Sequence, residues 1–73
     1  MDDFDQLLKE YREATDAWIA AVKAEEALAT DDHSMIAMEH WDTAALIARD
    51  AENRAKKTRD HYKNALRRKN YGF

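Results

Sequence analysis

Apolar and small residues recur along this chain with a helical period that is interrupted once. Phe4, Tyr11, Trp18 and Glu25 follow one another every seven residues, and Leu7, Ala14, Ala21 and Leu28 lie three behind each. Such a repeat draws a single stripe down one side of an α-helix. A second stripe follows residue 34: Trp41, Ala48, Ala55 and Tyr62 in one position, Ala44, Ala51, Thr58 and Ala65 in the other. Between the two stripes lies Thr30-Asp31-Asp32-His33-Ser34, the one internal cluster of residues that cap helices and compete with helical hydrogen bonds. The pattern predicts an all-α fold, an antiparallel two-helix hairpin with helices over about 3–29 and 35–69. Residues 30–34 form its loop, residues 70–73 a short tail, and the chain 1–73 one domain. Asp3 is the expected N-cap of the first helix, with Gln6 three residues on as its capping-box partner; Asp32 or Ser34 caps the second. A break near Asn53 would add a third helix, although no strong helix breaker stands there.

The two stripes are complementary. Aromatic side chains punctuate the first, and alanines fill most of the second. Folding about the middle of the loop sets residue i opposite residue 63−i, within about a turn. Trp18 then lies over Ala44, Ala45 and Ala48, Tyr11 over Ala51 and Ala55, and Phe4 near Thr58 and Tyr62, while Trp41 meets Ala21 and Val22. Large side chains against small ones let the two layers interdigitate.

Two features exceed what one seam can use. Leu8, Thr15, Ile19 and Val22 flank the first stripe, and Ile36, Thr43 and Ile47 flank the second. A two-helix hairpin cannot bury a second face internally, so these residues predict a homodimeric four-helix bundle, with Leu8, Ile19, Val22, Ile36 and Ile47 at the interface. The second helix is also the longer, and the 63−i register leaves residues beyond about 61 without an opposite number. That overhang alternates basic and apolar side chains, and Arg67, Arg68, Lys69, Tyr71 and Phe73 are its candidates for contacting a protein partner.

Composition narrows the class. The chain has no cysteine, no proline and a single glycine, at position 72, so it lacks a disulfide framework, a Cys-based metal site and the turn residues of a sheet. Neither a signal peptide nor an apolar run of membrane-spanning length is visible, and a cytoplasmic location is expected. In 73 residues the apolar core is thin, which is a second reason to expect self-association. Charge is distributed unevenly: residues 1–33 carry a net −7, residues 34–52 a net −3 and residues 53–73 a net +7. An antiparallel hairpin sets the acidic start of the chain beside the basic end. Internal compensation is therefore favoured over the alternative, a nucleic-acid-binding strip of Arg54, Lys56, Lys57, Arg59, Lys63, Arg67, Arg68 and Lys69. The loop end, with Glu25, Glu26, Asp31, Asp32, Glu39 and Asp42, is acidic and could meet a basic partner surface.

No constellation of residues carries chemistry. There is no phosphate loop, no Cys nucleophile and no HExxH motif, and Ser34, the only serine, sits where a cap is needed. His33 and His40 are seven residues apart, roughly 10 Å along a helix, too far for one ion to bridge unaided. His40 adjoins Trp41 and Ile36 and would make association pH-sensitive if it lies in the dimer interface. No enzyme activity, cofactor or metal is expected. In type, a short helical chain opening MDDFDQLLKEYREATDAW and closing YKNALRRKNYGF resembles the small helical accessory proteins of lambdoid bacteriophage early regions. The resemblance lies in size and character over the whole chain. It implies a function exerted by binding another protein, and it assigns no site residue.

Overall fold

The computed structural model describes residues 3–29 and 34–71. These form two helices, α1 (Phe4–Glu26) and α2 (Met35–Tyr71), laid against each other. The molecule is 56 Å long and about 15 Å across, so its length is that of α2 alone. α2 runs unbroken past Asn53, and the three-helix alternative does not hold.

Both helix starts are built as their sequences demand. The Asp3 side chain accepts from the Gln6 backbone N–H at 3.1 Å, and Asp5 lies in the first turn, at the positive end of the helix dipole. The Gln6 side chain donates along the helix to Glu10, so it completes no reciprocal box with Asp3. Ser34 Oγ accepts from the Ala37 N–H at 3.1 Å and caps α2; Asp32, the other candidate, lies outside the described residues. α1 stops at Glu26, three residues before the predicted end. Its last turn tightens, with the Leu28 and Ala29 N–H groups donating three residues back to Glu25 and Glu26. The predicted loop falls mostly on residues 30–33, which are not described.

The seam is the one the heptads draw. Among the described residues Ala14, Ala48, Ala55 and Ala65 are buried, Ala65 completely. Phe4, Leu7, Tyr11, Trp18, Ala21, Glu25 and Leu28 of the first stripe, and Ala44, Ala51, Thr58 and Tyr62 of the second, are half-buried beside them. Trp41 departs from this, being 41% exposed.

The register differs from the one expected. Opposed positions add to 66 where Trp41 Nε1 donates to Glu25 Oε1 at 3.2 Å. Tyr11 lines one cleft with Ala55, as expected, and also with Lys56 and Arg59, while Lys69 Nζ stands 5.0 Å over the Phe4 ring, where the positions add to 73. The offset from 63 grows from three residues, less than a turn, at the loop end to ten, about 15 Å along the axis, at the chain termini. Trp18 lines a cleft with Ala55, Lys56 and Arg59, further along α2 than Ala44, Ala45 and Ala48, and Phe4 reaches Lys69. The physical reason is the asymmetry of the connection. α1 ends early, residues 27–34 intervene, and the end of α1 meets α2 in its second turn.

This shift removes the overhang. Tyr62 and Leu66 are half-buried, Ala65 is fully buried and Lys69 covers Phe4, so α1 accompanies α2 to its last turns.

Candidate interaction surface

The uncovered apolar surface lies at the other end of α2. Met35, Ile36, Met38, Trp41, Leu46 and Ile47 are between 41% and 74% exposed, all within the first thirteen residues of the helix. Residues 35–48 contain only two charged side chains, Glu39 and Asp42, whereas residues 49–71 contain twelve. α1 adds Ile19 and Val22, 47% and 43% exposed.

At about 100° per residue these side chains point three ways from α2. One cleft, lined by Tyr11, Thr15 and Trp18 of α1 and by Ala55, Lys56 and Arg59 of α2, fixes which flanks of the helices share a side. Whole turns along α1 from Thr15 reach Ile19 and Val22. Counting back along α2 from Lys56 reaches Ala45, and then Met38. Ile19, Val22, Met38 and Ala45 therefore share one side of the hairpin, with Trp41 at its edge. Open depressions lined by Trp18, Ile19, Val22, Lys23 and Glu26, and by Met38, Trp41, Asp42 and Ala45, mark that side. Ile36, Thr43 and Ile47 lie on the opposite side, where α1 presents only the exposed alanines Ala17, Ala20 and Ala24. Met35 and Leu46 point directly away from α1.

The five interface residues expected from sequence thus divide between two sides. Ile19 and Val22 are on one, with Leu8 half-buried further along in a depression with Tyr11, Arg12, Thr15 and Asp16. Ile36 and Ile47 are on the other. Met35, Met38 and Leu46 were not singled out by the stripe pattern. What marks them in the sequence is the low charge of the whole window 35–48, which shows only when the helix is read all round and not along one face.

Polar groups on this surface are largely satisfied within the helices. Thr43 Oγ1 donates to the Glu39 carbonyl at 3.0 Å, and Thr15 Oγ1 to the Tyr11 carbonyl at 2.8 Å. Each threonine then offers its methyl group to a neighbour without presenting an unmet donor.

The basic end is organised differently. Lys56 pairs with Glu52 at 2.8 Å, Arg59 forks onto Asp60 at 3.3 Å, and Arg67 donates to Asn64 at 3.2 Å. These cations encircle the helix: Arg59 faces the shared cleft, Arg54 and Arg68 lie on the other flank, and Lys69 occupies a seam position over Phe4. In the observed register Arg67, Arg68 and Lys69 lie beside the acidic start of α1. Phe73 is outside the described residues, and Tyr71 is exposed.

Among the described residues no three His, Asp or Glu side chains are placed to hold a metal ion; His33 is not among them. No helix among the described residues is long and apolar enough to cross a membrane. No protein-family model matches the chain, and neither a curated protein nor a solved structure gives a significant match.

Proposed function

We propose that the chain is a non-enzymatic helical interaction module that self-associates through the loop-end half of the hairpin and acts by binding another protein. The observation that carries this reading is the girdle of exposed apolar side chains on residues 35–47 of α2. A helix with apolar side chains on several sides, and only Glu39 and Asp42 as charges between residues 35 and 48, belongs in a bundle, and α1 covers only one of its sides. Covering a side chain such as Leu46 or Ile47 stabilises by about 1.5–3 kcal/mol when it is complete. Where the only buried residues among those described are four alanines, flanked by half-buried aromatics, that is a large fraction of what is available. A four-helix bundle is the smallest assembly of hairpins that covers an additional flank. It leaves a further apolar side for the partner.

The test is sedimentation or light scattering across a range of concentrations. The wild type is expected to be a dimer or larger, and Ile47→Asp a folded monomer. A wild type that stays monomeric at high concentration overturns the reading.

A further inference from the structure

Within that reading, and resting on it, we infer that the first partner of the loop-end half is a second copy of this chain, bound antiparallel, α2 against α2. The contact is made by Ile36, His40, Thr43 and Ile47.

These four residues are spaced four, three and four apart. The spacing is unchanged when the direction of the helix is reversed, about a centre between residues 41 and 42. A two-fold axis there sets Ile36 level with Ile47 of the second copy and His40 level with its Thr43. That alternation of four and three is the layering by which antiparallel helices pack. The same patch serves both copies, as a two-fold interface requires. The stripe carries no carboxylate, Lys or Arg, whereas the stripe directed away from α1, Met35-Glu39-Asp42-Leu46, carries two carboxylates. The Thr43 hydroxyl is already bonded to the Glu39 carbonyl, so burying it costs no donor. On this side α1 presents Ala17, Ala20 and Ala24, all exposed, so no bulky side chain holds the second copy off.

Charge decides the direction. Residues 25–42 hold six carboxylates and neither Lys nor Arg. Parallel association would lay these two acidic ends together. The antiparallel axis instead sets residue 49 of one copy level with residue 34 of the other, and residue 54 level with residue 29. Arg54 and Lys57, on the contact flank of each copy together with Asp50, then lie toward the acidic loop end of its mate. The opposite flank, with Ile19, Val22, Met38 and Trp41, stays outside this contact and is left for the protein partner.

Since the chain has no cysteine, single cysteines report the geometry directly. Ile36→Cys and Ile47→Cys replace exposed side chains, and Ile19→Cys marks the other flank. In the antiparallel dimer Ile36 is about 16 Å along the axis from its own image. A disulfide needs Cα atoms within about 7 Å. Under mild oxidation each variant alone should stay uncrosslinked, and an equimolar mixture of the Ile36→Cys and Ile47→Cys chains should give the mixed disulfide. Homodisulfides at positions 36 and 47 would mean a parallel dimer and overturn the inference. Crosslinking at position 19 in its place would move the interface to the other flank and also overturn it. In both cases the self-associating module survives. Absence of any crosslink in a chain that scatters light as a monomer would end both.

Discussion

The two ends of the hairpin use the same pair of helices to opposite effect. Near the chain termini, α2 is thick with charge and offers α1 one narrow apolar line; Ala65 disappears completely and Lys69 closes over Phe4. There, one neighbouring helix is sufficient. At the loop end α2 carries almost no charge and turns apolar side chains in three directions, of which α1 meets one. The difference shows how a helix's composition, and not its length, sets how many neighbours it needs. At the terminal end α1 covers the apolar line of α2, and at the loop end apolar side chains stay exposed that the proposed assembly would cover.

Variants in the two halves should therefore fail in different assays. The largest effect expected is on assembly: Ile47→Asp puts a carboxylate into the proposed contact and should weaken self-association by at least about tenfold, or 1.4 kcal/mol, while circular dichroism keeps its helical signal. Lys63→Asp, in the terminal half, should leave the assembly as it was. Next comes Ala65→Leu. It forces a larger side chain into a site with no free surface and should lower stability by about 1–3 kcal/mol, read by urea or thermal unfolding. An unchanged melting temperature would mean that the terminal half is not closed. Asp3→Ala removes the cap that holds the Gln6 N–H and should cost about 1 kcal/mol. Lys69→Met keeps the stem and removes the charge over Phe4, for about 0.5–1 kcal/mol or less at so exposed a site. The smallest effect is on nucleic acid: no DNA or RNA shift should appear even at about 50 mM salt, where phosphate contacts are strongest. A shift would assign the basic half a role of its own.

The seam was legible because seven-residue spacing places Phe4, Tyr11, Trp18 and their alanine partners on facing stripes whatever the loop does. The register was not, for the same reason. A slide of one heptad would change nothing in the alternation of large and small, so the pattern alone does not choose among such registers, and the structure sets Trp18 in a cleft with Ala55, Lys56 and Arg59. With the register went the overhang: Lys69 covers Phe4, and Arg67 and Arg68 are exposed at a helix end that α1 accompanies. The division of Ile19 and Val22 from Ile36 and Ile47 was hidden more deeply. Which flank of one helix lies beside which flank of the other depends on handedness in three dimensions, and the cleft joining Thr15 and Trp18 to Lys56 and Arg59 supplied it. Met35, Met38 and Leu46 escaped because each stripe was read singly, whereas their meaning lies in the girdle that they form together.

The isoleucines offer the most direct test of whether the loop-end half is an interface. There are three, Ile19, Ile36 and Ile47, one on one side of the hairpin and two on the other. Their δ-methyl signals can be followed by NMR with a soluble paramagnetic probe as the protein is concentrated. The methyls of Ile36 and Ile47 should become protected together as the concentration rises, while Ile19 stays accessible. Three methyls that remain equally accessible at every concentration would contradict the account.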